Sequence, residues 1–347
     1  MEYRTLGKTG LKVSEVGYGT WQLANDPGMW VGADPAESLK SLARYAELGG
    51  NFIDTAWIYG YSDDQPERHP SEELIGQFLK QSGKEMIVAT KIAPLDMHWP
   101  TWQGTPISQV FPKARIIDSV EDSLRCLGLD SLDLVQFHVW QDDFANEDEW
   151  KTIIQNLTQQ GKVKHWGISI NDYQPSNCLK TLDTGLIETI QCIFNVFHQM
   201  PTEKLLPYVK EHNIGLIARV PLDEGGLSGN FTTETTFEHG DFRDEYFSPE
   251  HLEQLVPRTD ALKALLGDEA ATLPELALRY LLSFPELSAV IPGMRKLKNV
   301  EANVSLSDGR KLTPELMETL KAHAWERNFY GDEARDPAMA DSGFIEK

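Results

Sequence analysis

The amino-acid sequence predicts an α/β protein, a closed (β/α)8 TIM barrel with an N-terminal β-hairpin and long loops at the C-terminal face. Three observations carry that expectation. Eight short apolar runs alternate with longer stretches of helical period along the 347 residues. The runs are apolar enough to be covered on both faces, as parallel strands between helices are. The Gly-x-Gly-x-x-Gly signature of an open dinucleotide-binding sheet is missing after the first run, which favours the closed barrel.

In chain order, a hairpin around "TGLKV" comes first, and the eight expected strands are "EVGYGT", "NFIDTA", "EMIVATK", "LDLVQFHV", "HWGISI", "ETIQCIFN", "IGLIARVP" and "LSAVIPG". Residues 34–48 read as a helix. Asp34 caps it, Pro35 takes the first position and Glu37 completes a capping box before Leu39, Leu42 and Ala46. Across residues 114–127, Ile116, Ile117, Val120, Leu124 and Leu127 recur at helical spacing until Gly128 stops the segment. Residues 273–284 repeat that logic. No internal repeat and no linker divides the chain, so residues 1–347 are expected to form one domain. Three segments exceed ordinary loop length: residues 94–114, rich in Pro and Trp; residues 223–258, rich in Gly, Thr and acids; and the tail from Asn328. Such loops on a barrel belong to the substrate side.

Composition narrows the function classes. A formal net charge of -21 repels the phosphates of nucleic acid and anionic lipid, so neither is an expected partner. The start "MEYRTLGKTGLKVSEVGYGTW" lacks a secretory signal, and no apolar run reaches membrane-spanning length. A cytoplasmic protein with no membrane partner is expected. Cys126, Cys178 and Cys192 show no metal or redox spacing and read as reduced core residues.

Barrel chemistry sits at the C-terminal ends of the strands. "NFIDTAWIYG" places Asp54 at the end of strand two and Tyr59 on its loop; Lys91 ends strand three and His138 ends strand four. These four side chains suit protonation of a carbonyl oxygen. A free phenol, with a pKa of about 10, is a poor acid near neutrality, but a neighbouring ammonium lowers that value. Lys91 supplies the ammonium, Asp54 holds it charged, and a neutral His138 donates a hydrogen bond to the same oxygen. Singly, each has a structural reading as a rim tyrosine, an ion pair or a satisfied histidine. The convergence on one chemistry is what those readings leave unexplained.

With these residues in place, the sequence resembles the aldo-keto reductase superfamily from "YRTLGKTGLKVSEVGYGTW" to about Leu306. The shared motifs are "NFIDTAWIYG", the "ATK" at Lys91, "LDLVQFH", "GKVKHWGIS", "QCIFN" and "VIPGMRKLKNVEAN". The resemblance implies an NADPH-dependent reductase of aldehydes and ketones, with Asp54, Tyr59, Lys91 and His138 as catalytic residues and Tyr59 as general acid. Hydride would come from a nicotinamide cofactor lying extended at the barrel mouth beside Asp54. Ser169, Asn171 and Gln191 match residues that hold the nicotinamide carboxamide. Gly19, Thr20 and Trp21 fall beside the cofactor, and Pro221 and Leu222 of "VPLDEGGLSG" fall in the loop over its pyrophosphate. Two positions depart from the pattern. Arg219 stands where an aromatic stacker on the nicotinamide is common, and "HVWQDD" follows the histidine in place of the usual Pro-Asp continuation.

The residues themselves add a point about the cofactor. In this acidic chain "GMRKLKN" gathers Arg295, Lys296 and Lys298 at an expected helix start, where cations oppose the helix dipole. That placement points to an anionic ligand shared with backbone N–H groups. A 2′-phosphate fits. The resemblance assigns Arg295 to that phosphate and Asn299 and Asn303 to the adenosine end, places Gly293 among the cofactor-binding residues, and implies NADP as the cofactor. Trp21, Trp57 and Trp140 follow strand ends, and Trp99 and Trp102 lie in the third loop, so an aromatic-walled pocket for a small-molecule carbonyl or sugar substrate is expected. Alternatives are an NAD(P)-dependent sugar dehydrogenase on the same scaffold and a slow cofactor-binding regulatory subunit. A metal-dependent hydrolase needs clustered ligands, and His69, His98 and His165 are scattered in the sequence.

Overall fold

The computed structural model describes residues 1–24, 30–325 and 327–330. Strands β1 (Tyr3–Thr5) and β2 (Lys12–Ser14) pair antiparallel as the expected hairpin, with Tyr3 opposite Ser14. Then follow β3 (Tyr18–Gly19), β4 (Phe52–Asp54), β5 (Ile87–Ile92), β6 (Leu132–Phe137), β7 (Val163–Ser169), β8 (Thr189–Ile193), β9 (Gly215–Arg219) and β10 (Ala289–Val290). These eight form one parallel sheet in chain order, each on one of the apolar runs. Parallel bridges from Val16 to Val290 and from Gly19 to Gly293 join the first strand to the last and close the barrel. The seam requires glycine at position 19, because a Cβ there would lie 2.7 Å from the carbonyl oxygen of Ile291.

The helices start and stop where local chemistry dictates. Asp34 accepts hydrogen bonds from the N–H groups of Ala36 and Glu37, and the helix Pro35–Glu47 follows. The helix Lys113–Leu127 ends at Gly128, whose φ of 67° is left-handed. Thr272 caps Leu273–Leu282 by accepting from the Glu275 N–H. The tail beyond Tyr330 lies outside the described residues. Among the described residues no helix is long and apolar enough to cross a membrane.

Side chains alternate along each strand between the barrel axis and the helix layer. Phe52, Ala89, Leu134, Ile217 and Ala289 meet Leu6 and Val13 of the hairpin in an apolar layer inside the barrel. The intervening Ile53, Val88, Val135 and Leu216 join the larger core beneath the helices. Burying each large side chain stabilises the fold by about 1.5 to 3 kcal/mol. Two residues beyond the apolar layer, and so on the same inward face, stand Asp54, Lys91, Gln136 and Arg219. The alternation that builds the core therefore also aims the polar residues at the mouth. On β7 the inward position beside Gln136 is Gly167, where a Cβ would lie 2.1 Å from the Thr189 hydroxyl.

Candidate active site

Lys91 and Asp54 are 1% and 2% exposed at the strand ends. The Lys91 ammonium lies 2.5 Å from Asp54 Oδ1, donates to the Thr55 carbonyl at 2.8 Å and reaches the Tyr59 hydroxyl at 3.4 Å. Asp54 Oδ2 accepts from Gln191 Nε2 at 2.7 Å and from Gln136 Nε2 at 3.2 Å. Each buried ion costs several kcal/mol of desolvation, so the pair persists because these extra bonds satisfy both partners. Burial pulls the Lys91 pKa down, yet Asp54 and Tyr59 outweigh it and the net shift is upward.

The phenol departs from the expectation of a lowered pKa. Burial pushes the Tyr59 pKa above its ordinary value; Lys91 and Arg219 offset part of that rise, and Asp54 adds to it. The ammonium acts as expected, but loss of hydration wins. His138 is held well below the ordinary imidazole range by burial, reinforced by Lys91 and Arg219, and is therefore neutral. Its Nδ1 is buried with no hydrogen-bond partner among the described residues. The His138 ring meets the Tyr59 ring at 5.8 Å and the Trp99 ring at 5.6 Å, both edge to face.

Aromatic walls stand beside these groups. Trp21 stacks at 6.2 Å on Tyr59 and at 5.0 Å on Phe242, with Trp30 packed edge-on against both Trp21 and Phe242. Phe242, from the long 223–258 segment, is a wall residue that sequence reasoning missed; the signal was an aromatic in a loop otherwise rich in Gly, Thr and acids. Trp140 is corrected as a pocket wall. It is fully buried among Phe137, Phe144 and Trp150, and its indole N–H is satisfied by Thr181 Oγ1 at 2.7 Å. Trp57 stacks on Tyr61 beneath the Arg115 guanidinium, donates to Asp122 at 3.3 Å and belongs to a small apolar cluster against which Tyr59 and Trp99 pack. Trp21 stacks on Tyr59, the Trp57 cluster packs against it, and Trp99 arrives from the third loop against His138.

Arg219 is tied to the segment that follows β7. Its guanidinium donates to Asp172 and, at 3.1 Å, to the Ile170 carbonyl. Burial opposes its charge, and Asp172 more than compensates. Asn171 is occupied elsewhere. Its amide donates to the Thr101 carbonyl at 3.0 Å and to Gln174 at 3.3 Å, and its oxygen accepts from the N–H groups of Thr101 and Trp140. All four of its hydrogen-bonding positions are thus filled, and they pin the 94–114 loop to the end of β7. Ser169 differs: its hydroxyl is buried with no partner among the described residues, opposite Gln191 in the sheet. An orphaned buried hydroxyl at a strand end fits the amide of a ligand.

The other expected cofactor residues lie at the barrel seam and on the segments that follow β9 and β10. The Thr20 N–H donates to the Asp54 carbonyl at 3.1 Å, and Gly19 lies on the barrel seam. Pro221 is buried and Leu222 half-buried in a loop where Val220, Asp223 and Glu224 have φ of 53°, 53° and 52°. After β10, Gly293 and Arg295 lead into the helix Leu297–Ser305, which carries Asn299 and Asn303. Arg295 donates to the Val31 carbonyl at 2.8 Å, and Lys296 and Lys298 are exposed beside it.

The sequence pattern of the Aldo/keto reductase family matches residues 15–324. The chain belongs to the aldo/keto reductase family. It is 31% identical over 307 residues to the aldo-keto reductase YhdN of Bacillus subtilis strain 168, covering 87% of each chain. It is 30% identical over 317 residues to the L-galactose dehydrogenase of Arabidopsis thaliana, covering 88% of each. The solved structure of the glycerol dehydrogenase of Gluconobacter oxydans superposes with a TM-score of 0.74 at 27% identity, over 93% of this chain and 94% of that one. As an aldo/keto reductase, the protein is an oxidoreductase, and its strand-end polar residues sit where the barrel's chemistry belongs.

Proposed function

We propose that this aldo/keto reductase reduces aldehydes and ketones with NADPH, with Tyr59 as the general acid. The observation that carries the reading is the buried chain from Asp54 through Lys91 to Tyr59, at 2.5 and 3.4 Å, facing a neutral His138. The bound cofactor supplies a hydride to the carbonyl carbon. His138 orients the carbonyl by donating a hydrogen bond to its oxygen. As negative charge develops on that oxygen, the Tyr59 proton passes to it, and the phenolate left behind is stabilised by Lys91 and Arg219. Asp54 keeps Lys91 charged and fixed. The raised phenol pKa keeps Tyr59 protonated until the transfer.

The remaining residues support cofactor binding in extended form. Ser169 has the unsatisfied hydroxyl a carboxamide would engage, and Gln191 stands opposite it, whereas Asn171 braces the neighbouring loop. Arg295, Lys296 and Lys298 place positive charge at a helix start in an acidic chain, which favours a 2′-phosphate. Trp21, Trp99 and Phe242 offer flat apolar faces to a small carbonyl compound or a sugar. A panel of aldehydes, ketones and aldoses followed by nicotinamide absorbance tests the proposal, and absence of turnover with every substrate and both cofactors contradicts it.

A second reading, oxidation of a sugar by the same site, is favoured by the resemblance to L-galactose dehydrogenase. Oxidation requires the phenolate, and burial holds the phenol protonated. The oxidative rate is therefore expected to climb with pH into the alkaline range while the reductive rate falls.

A further inference from the structure

The loop of residues 220–229 follows a left-handed course that its surroundings must hold. Val220, Asp223 and Glu224 have φ of 53°, 53° and 52°, and Gly225 has φ of 105°. Positive φ strains every non-glycine residue, most of all a β-branched one such as Val220. The same turn buries two adjacent carboxylates, Asp223 at 0% and Glu224 at 7% exposure.

Both are answered by the last described residues of the chain. Arg327 Nη2 lies 2.7 and 2.6 Å from the two oxygens of Asp223, and the Tyr330 hydroxyl donates to Glu224 Oε1 at 2.8 Å. Arg327 is itself buried, sandwiched against the rings of Trp325 at 4.1 Å and Phe329 at 4.6 Å. It also reaches His198 Nε2 at 2.7 Å. His198 is kept neutral by burial and by Arg327, and so accepts that bond. A planar guanidinium of fixed charge suits this crowded, stacked position.

A carboxylate such as Asp223 in a loop over a pyrophosphate would repel it unless its charge is cancelled, whereas burial pushes the pKa of the neighbouring Glu224 up to about 7 and so weakens its charge. We infer that Arg327 and Tyr330 are positioning residues for the cofactor: together they hold the 220–229 loop in its left-handed course, and Arg327 neutralises Asp223 within it, which lets the loop close over a dinucleotide pyrophosphate. This rests on the proposed binding of a nicotinamide dinucleotide beneath that loop. Because NADPH and NADH share the pyrophosphate, both depend on the clamp equally, unlike a contact to the 2′-phosphate.

The test uses the full chain, with fluorescence titrations of NADPH and NADH and steady-state kinetics. Arg327→Met is expected to weaken both nucleotides by the same factor, about tenfold or more, since one partner of a buried charge pair is lost. The loss appears in the cofactor KM rather than in kcat. Adding Asp223→Asn to Arg327→Met is expected to restore affinity to within about threefold of wild type, because removing the anion removes the need for the cation. A mere packing role for Arg327 leaves the double variant as weak as the single one and overturns the inference. Tyr330→Phe deletes one hydroxyl at little risk to the fold and is expected to weaken both nucleotides equally, by about threefold. Unchanged affinity there, or weakening of NADPH alone in Arg327→Met, also overturns it. If wild type binds neither nucleotide, the inference and the proposed function fall together; if wild type binds and the variants bind equally well, only the inference falls.

Discussion

Inside the barrel, Phe52, Ala89, Leu134 and Ile217 pack against Leu6 and Val13 of the hairpin, and two residues further along the same strands stand Asp54, Lys91, Gln136 and Arg219. The strands are the same and the faces are the same, yet the two layers oppose each other energetically. The apolar layer gains by leaving water. The polar layer loses, because Asp54 and Lys91 surrender hydration that their mutual attraction and the amides of Gln136 and Gln191 do little more than offset. A buried ion pair is a poor source of stability. Its place at the mouth, within reach of a phenol and a neutral imidazole, fits the proposed proton transfer.

The sharpest contrast comes from removing the phenol beside the polar layer and one side chain of the apolar layer. Tyr59→Phe is expected to lower kcat for an unactivated ketone by about 100- to 10,000-fold, the range of general acid catalysis, with little change in cofactor affinity or urea midpoint. Wild-type kcat in that variant removes Tyr59 from the proton transfer. Leu134→Ala is expected to do the reverse. It empties a position in the apolar layer and costs about 2 to 5 kcal/mol in urea unfolding, with kcat per folded molecule near wild type. Equal damage to both properties in both variants erases the distinction between the layers.

Why the sequence announced one layer so clearly follows from locality. The apolar runs fix which residues face inward, and counting two positions on from Phe52 and Ala89 reaches Asp54 and Lys91 without knowledge of the fold. Trp140 lies two residues beyond His138 and looked like a wall, but the chain carries it under the helices to Phe144 and Trp150. Phe242, Asp172 and Arg327 act through contacts between segments far apart in the chain, with Trp21, Arg219 and Asp223 respectively. No local pattern marks such pairs. The Tyr59 pKa was half legible: the sequence shows the charge of Lys91, while the larger effect of burial depends on how the loops close over the phenol.

Smaller effects probe the rim of the polar layer. Arg295→Ala is expected to weaken NADPH by about 1.5 to 3 kcal/mol through loss of a charge-assisted contact, with NADH affinity as the unchanged control. Equal weakening of both nucleotides places Arg295 elsewhere. Arg219→Tyr removes a cation beside the mouth and leaves Asp172 unpaired, so NADP+ is expected to tighten relative to NADPH by about 1 kcal/mol. Fluorescence titration of each redox form measures it, and equal shifts show that Arg219 makes no redox-sensitive contact.

The proposed mechanism requires that Lys91 and Tyr59 work on one proton. The direct measurement is a kinetic cycle of wild type, Tyr59→Phe, Lys91→Met and the double variant, using kcat for one ketone at saturating NADPH. Residues that act as a unit are strongly non-additive, so the double variant is expected to be little slower than either single one. Losses that multiply in full would show that Lys91 and Tyr59 act independently and would contradict the mechanism.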